Sequence, residues 1–487
     1  MTKPSLGQLT MVTTVWGDWH IKMLLEINVP SMLASQNLPA LVQQTKVTYE
    51  IYTQDEDYNK INGAAVIQEM RRYLNVNVLL LTGVDLTNPI AAHHQVWMWG
   101  IEKAKKTGQL ILLMPPDVVW SNGSFRTIGN RLKDGHRNIL MTFMRAEETG
   151  FEESILALRK PDSLDLELSG EELVSLSIRS LHPLMAAYLH DSEHFPIHPE
   201  MIFWPVENEG LLLRVLAREM FLFDPATLEV NQMALPSKPL APGETCFIDN
   251  SDDLFAVSLA PINADIKWYR QPQKADPIEI AGWWLTYDSP ANDFTVSHKI
   301  RWHFAPVTEE KWKAVERVSD IFVRKIAIIR EAIRIWSAAQ QLGCKTTAQL
   351  IALSMQTRAV FHAARKLKGQ IIFLPTDEAF DRQTTTKTDA LYDTDDNTTL
   401  INTIRSHIVS GYDPERDGED PITERMLSNH NPELSFSSGQ SHVLDRQDGK
   451  LRIGGIAIMG APIRVGAHVA YVIDGLLGED RNGASNN

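Results

Sequence analysis

An acid just past a buried strand is well placed for chemistry, and Asp117 has that setting in QLILLMPPDVVWSNGS, residues 109–124. Five of the six residues Gln109–Met114 are apolar, which reads as a strand buried on both faces. Pro115-Pro116 ends it, and Asp117 stands in a turn that feeds a helix. Ligands of open α/β sheets gather beyond the carboxyl ends of the strands. There Asp117 could hold a metal that in turn holds a phosphate, or act as a turn acid or helix N-cap beside Ser121 and Asn122. A second group of acids, Asp249, Asp252 and Asp253 in FIDNSDDL, could bind a cation, bind hydroxyls, supply a base or form a solvated loop. It lacks the Gly and terminal Glu of an EF-hand, so calcium is not indicated. A third feature, HKIRWH at His298–His303, sets Lys299 and Arg301 on one face of a strand and His298 on the other.

Missing motifs and overall charge narrow the chemistry. No G-x-S-x-G, P-loop or G-x-G-x-x-G occurs, which argues against hydrolase, NTPase and dehydrogenase readings. Cys246 and Cys344 lack CxxC or zinc-site spacing, so neither a disulfide framework nor a thiolate metal site is expected. A net charge of −14 without a Lys/Arg block disfavours nucleic acid and anionic membrane as partners. The amino terminus lacks the apolar core of a signal peptide, and no apolar run reaches membrane-spanning length. The expectation is a soluble cytoplasmic protein with no transmembrane segment.

The elements that must position these residues alternate as far as Phe143. Strands are expected at Leu9–Trp16, Val47–Thr53, Val76–Thr82, Gln109–Met114 and Asn138–Phe143. Helices are expected at Ile21–Ser35 (bent or ended in part by Pro30), Ile61–Leu74, Ala91–Lys106 and Ser124–Lys133. Ile90, His94, Trp97, Ile101 and Ala104 share one helical face. The alternation predicts right-handed crossovers and an α/β fold with a mostly parallel sheet flanked by helices. Glu147–Leu181 reads as helical with a break at Lys160–Leu166, and the Pro- and aromatic-rich stretch His182–His303 as a lid or acceptor region. Glu309–Arg334 is a long amphipathic helix. Beyond it come helices within Ala338–Lys366, a strand at Gln370–Leu374, a polar stretch Asp381–Thr399, a helix Leu400–Val409, a loop Asp413–Gln440 and a β-rich end. At 487 residues the expected division is 1–307, a helical connector 308–335, and 336–487.

Two family resemblances follow from these residues. IIFLPTDEAFD at Ile371–Asp381 is similar to the "TVFAPTDEAF" signature of fasciclin-like domains, Ser406-His407-Ile408-Val409 to their "YHVV" segment, and AYVIDGLL at Ala470–Leu477 to their terminal "HVIDGVL". That resemblance implies an α+β domain serving adhesion, a protein partner or self-association. Its local physics agrees: Pro375 fixes the chain as it leaves a strand, Thr376 caps a helix, Phe380 packs inward and His407 reads as a hydrogen-bonded core histidine. The first two-thirds resembles bacterial glycosyltransferases of the GT-A type, through VTTVWGDWH, EIYTQDED and MPPDVVWSNGS.

The second resemblance implies a nucleotide-sugar donor lying across the ends of the first strands and a carbohydrate or glycoconjugate acceptor. Trp16 would stack on the base or else sit half-buried in the core, and Gly17 would permit close backbone approach. Thr53 and Asp55, with Asp57 nearby, would meet the ribose or uracil edge, and His93 the donor, while His94 reads as structural. Asn122-Gly123 reads first as turn chemistry and second as a sugar contact. Mg²⁺ or Mn²⁺ would neutralise the diphosphate, held by Asp117 and by the late His303. The family's DxD is PPD here, with one carboxylate in place of two. FIDNSDDL resembles a downstream "DSDE"-like segment, so Asp249, Asp252 and Asp253 are the catalytic candidates. The alternative is a non-catalytic binding or adhesion protein with a degenerate transferase-like domain.

Overall fold

Aliphatic and β-branched runs become strands where helices cover both of their faces, and the first half of the chain is built on that rule. The computed structural model describes residues 7–196, 198–216, 222–230, 236, 240–241, 243–269, 271–286, 292–353, 369–384, 389–392, 398–428 and 432–478. The chain divides into two units, Met1–Ile321 and Phe322–Asn487, and the division falls inside the helix Glu309–Gln341.

The strands of the first unit are β1 (Leu9–Thr14), β2 (Val47–Thr53), β3 (Asn75–Leu80), β4 (Leu110–Leu113), β5 (Val118–Trp120), β6 (Asn138–Leu140) and β7 (Met144–Glu147). They continue with β8 (Met201–Val206), β9 (Gly210–Val215), β10 (Leu222–Phe223), β11 (Thr245–Phe247), β12 (Ala256–Ala260) and β13 (Ile300–His303). The main sheet has the order β11-β6-β10-β4-β1-β2-β3. The strands β1 to β4 pair in parallel, but β10 runs antiparallel to both β4 and β6. The expectation of a mostly parallel sheet is therefore corrected to a mixed one. The two-residue β10 follows the β8–β9 hairpin and not a helical crossover from β6, so the βαβ handedness rule does not set its direction. Two three-stranded sheets, β5-β12-β7 and β13-β9-β8, complete the unit.

Every residue of β1 and β4 is buried, and their side chains alternate between two cores. Val12, Ile111 and Leu113 meet the helix Pro89–Thr107, while Met11, Leu110 and Leu112 meet Ile21, Val29, Phe125 and Ile128. Gly100 lets the first helix approach closely, since a Cβ there would lie 2.9 Å from Val12 Cγ2 and 3.2 Å from Ile111 Cδ1. That helix buries Ala92, Val96, Trp97, Gly100, Ile101 and Ala104, whereas Ile90 is 72% exposed, so the expected apolar face is rotated at its first turn. The helix expected at Ile21–Ser35 runs as α-helix Asp18–Met23, π-helix Leu24–Asn28 and α-helix Val29–Met32. Pro30 offers no N–H to the carbonyl four residues back, and the ladder widens ahead of it. The expected helix Ile61–Leu74 is two short ones, Asp55–Gly63 and Ala65–Met70.

The second unit holds β14 (Gln370–Pro375), β15 (Ile408–Ser410), β16 (Glu433–Ser435), β17 (Ser441–Gln447), β18 (Lys450–Ile453), β19 (Ile456–Val465) and β20 (His468–Ile473). They form one sheet in the order β15-β14-β20-β19-β18-β17-β16, with β14 and β20 parallel. The expected helix Leu400–Val409 stops at Arg405 and the chain turns into β15; the expected loop Asp413–Gln440 contains the helix Pro421–Ser428 and β16. Of the helices expected in Ala338–Lys366, Lys345–Ala352 is observed and residues 354–366 lie outside the described residues, as do 385–388 and 393–397 of the polar stretch. Among the described residues no helix is long and apolar enough to cross a membrane.

Candidate functional site

From β1 the chain winds outward to β2 and β3, then returns to lay β4 on the other side of β1. The winding reverses between β1 and β4, so the loops leaving their carboxyl ends diverge and open a crevice. The β1 loop carries Trp16, Gly17 and His20, and the β4 loop carries Asp117. Gly17, at φ 79°, turns the chain into the helix Asp18–Met23, and its N–H donates to Asp57 Oδ2 at 3.2 Å. Trp16 is half-buried with its ring 6.1 Å from His93, which meets the Trp97 edge at 5.4 Å. Thr53 closes β2, fully buried, and Asp55 is exposed in the first turn of the next helix. The Oγ1 atoms of Thr14 and Thr53 and Nε1 of Trp97 are buried without a protein partner among the described residues. Such groups usually find a partner.

Asp117 is placed by buried polar side chains that the sequence pattern did not single out. Asn28 Nδ2 donates to the Val118 carbonyl at 2.7 Å, Ser31 Oγ accepts from Trp120 N at 3.1 Å, and Asn37 Oδ1 accepts from the N–H groups of Gly123 and Phe125. Between Asp117 and the helix Ser124–Lys133 lies β5, which pairs with β12; Leu259 N donates to the Asp117 carbonyl at 3.0 Å. The Asn122 side chain accepts from Gln36 N at 2.9 Å, so it holds the loop together.

Burial pushes the Asp117 carboxyl up, opposed by its own backbone N–H, His20 and Arg145. Burial lowers the His20 imidazole, opposed by Asp117. Both groups keep a face open to solvent while protein crowds the others, as on the wall of a cleft. Arg145 Nη1 donates to Asp265 Oδ2 at 2.6 Å. His20 was within the β1 motif and one turn past Gly17, but Arg145 carries no sequence signal, because only the β5-β12-β7 sheet, where Ser258 pairs with both Val118 and Arg145, brings it toward Asp117.

The other expected site residues do not join this crevice. Ser121, at the far end of β5, pairs with Phe255, four strand residues or about 13 Å from Leu259. Asp249, Asp252 and Asp253 precede Phe255 and lie beyond that end. Asp249 and Asp252 are exposed and Asp253 pairs with Arg131 at 2.8 Å. His303 is buried with this group, its Nε2 3.2 Å from Asp252 Oδ2 and its N–H donating to Ser251 Oγ. The expected metal pair Asp117 and His303 is thus not assembled. Lys299 and Arg301 do share a face, where they pair with Glu316, Glu309 and Asp320 of the long helix. Among the described residues no group of three or more His, Cys, Asp or Glu is arranged to hold a metal. Around Asp117 the protein donors are one carboxylate and one imidazole, so Mg²⁺ or Mn²⁺ there would take most of its ligands from water and substrate phosphates.

In the second unit the motif residues have structural roles. Thr376 Oγ1 accepts from Ala379 N at 3.2 Å, capping the helix Asp377–Asp381, and Phe380 is buried. His407 Nε2 accepts from Leu477 N at 3.0 Å while Nδ1 donates to the Thr403 carbonyl at 2.7 Å. The ring therefore ties the "SHIV" segment to the "IDGLL" end. It borders a cavity of about 30 Å³, among Leu350, Ile372, Leu374, Phe380 and Ile404. Residues 344–479 match the Fasciclin domain family, which supports an adhesion or interaction module in this unit. No curated protein matches the chain.

Proposed function

We propose that the first unit is a nucleotide-sugar-dependent glycosyltransferase of GT-A type, carried in one chain with a Fasciclin domain that engages a protein partner or a second copy. The observation that carries this reading is the reversal of strand winding between β1 and β4, with Trp16, His93, the buried Thr53 hydroxyl and His20 near the ends of β1 and β2 and Asp117 past β4. A nucleobase fits the aromatic side, and the sugar and its leaving diphosphate fit the charged side. His20, whose imidazole burial shifts toward the neutral form against the pull of Asp117, is the proton acceptor available to an incoming hydroxyl. The acids Asp249, Asp252 and Asp253 are too far along β12 to act at Asp117, so the reading gives them no part in the transfer.

The test is a panel of nucleotide-sugars read by thermal shift and then by release of nucleotide with simple sugar acceptors. Stabilisation followed by release supports the transferase. The single acid at Asp117 favours a second reading, a non-catalytic nucleotide-sugar binder, and stabilisation without release by any acceptor selects it. A panel that produces no shift, with or without metal, would falsify both.

A further inference from the structure

We propose that the first unit carries a second ligand site, a cleft at the amino ends of β2 and β3 that takes a phosphate monoester. The proposal goes beyond the transferase reading and does not depend on it. The chain enters β2 through residues 42–46 and β3 through residues 71–74. The two strands are parallel neighbours, so both entering segments meet at one edge of the sheet, opposite the loops that leave β1 and β4. Between the segments lies a cleft of about 710 Å³, a volume usual for small-molecule sites. Buried Val47 and Leu74 line it together with Lys46, Arg71, Arg72 and Tyr73. No carboxylate lines it among the described residues, although the chain has 61 Asp and Glu against 47 Lys and Arg. The local charge therefore runs against that of the whole protein.

Two of the three cations have no carboxylate partner among the described residues. Lys46 is exposed at the mouth of β2. Arg71 is half-buried and fixed by a neutral side chain: Nη1 donates to the Asn62 carbonyl at 3.0 Å and Nη2 to Asn62 Oδ1 at 2.5 Å. Its guanidinium is thus held in place with its charge intact and Nε uncommitted. Arg72 differs, because Nη1 pairs with Glu69 at 3.0 Å, which offsets its charge. Two uncompensated positive charges match a phosphate monoester, which carries about −1.5 to −2 at neutral pH, whereas a carboxylate would leave one of them unmatched. The Tyr73 ring, 41% exposed, gives the organic part of the ester a surface to lie on.

Calorimetric titration of the full chain with inorganic phosphate, glucose 6-phosphate and AMP tests the proposal. At least one ester should bind with Kd of about 1 mM or tighter and more tightly than inorganic phosphate, and the tighter ester shows whether a sugar or a nucleoside carries the phosphate. Arg71→Gln should weaken that binding by about tenfold, and Lys46→Glu by a similar factor. Lys46 is exposed and makes no contact that folding needs, so Lys46→Glu serves if Arg71→Gln melts early. The thermal shift with nucleotide-sugars should be the same in Lys46→Glu as in the parent. Absence of binding by both esters, affinity no better than that of inorganic phosphate, or parent-like binding by folded Lys46→Glu overturns the proposal. Ester binding that survives Lys46→Glu but is lost in Trp16→Ala places the ester beside Trp16 and overturns it too. None of these results bears on the transferase reading, which rests on the nucleotide-sugar panel.

Discussion

Trp16, His20 and Asp117 bring different chemistry to the proposed site, so their substitutions should separate. Trp16→Ala removes the stacking face beside His93 and should weaken nucleotide binding by about 1–2 kcal/mol, read by calorimetry, with little change in melting temperature. His20→Ala removes the proposed base and should lower kcat by about 10²–10⁴-fold while donor affinity holds within about threefold. A parallel loss of affinity would make His20 a binding group instead. Trp16 lies just past β1 and His93 in the opening turns of the helix Pro89–Thr107, elements whose periodicity is plain in the sequence. Asp249, Asp252, Asp253 and His303 looked equally acidic or basic in sequence. The antiparallel run of β12 against β5 carries them to the opposite end.

At the scale of elements, the crevice depends on groups that look unremarkable in sequence. Asn28 is fully buried and holds the Val118 carbonyl; Asn28→Ala should cost about 1–3 kcal/mol in denaturant unfolding and also weaken nucleotide binding by loosening the Asp117 turn. Gly100→Ala would press a Cβ on Val12 and Ile111 and should destabilise by about 1–3 kcal/mol, with binding affected only through stability. In the second unit Thr376→Ala removes a helix cap and should cost about 1 kcal/mol. The strands β2 and β4 and the helix Ser124–Lys133 follow from local pattern, because a continuous apolar run or a 3.6-residue period decides them. The three-residue β5 and two-residue β10 are too short to have a period, and only the partners waiting on either side make them strands.

Across the whole molecule, acid should reach the second unit through Glu331. Burial alone would raise its carboxyl, but the hydrogen bond from His468 and the charges of Arg334 and Arg330 outweigh it and bring it down to about 2. A carboxyl depressed in the folded state stabilises above its unfolded value near 4.5, and that contribution is lost as pH falls toward 2. Thermal melts of the full chain should therefore lose on the order of 3 kcal/mol across that window, and Glu331→Gln should flatten the slope. Read alone, the sequence determined the α/β alternation of the first unit, the fasciclin signature at Ile371–Asp381 and the place of Asp117 just past a buried strand. These rest on contiguous residues, where periodicity, turn chemistry and motif spacing act locally. Only the tertiary structure decided that the sheet is mixed, that the charges of His20 and Arg145 act on Asp117, and that His303 stays with Asp252. Those pairings join residues far apart in the chain, and strand order and register, which no local pattern encodes, bring them together or hold them apart.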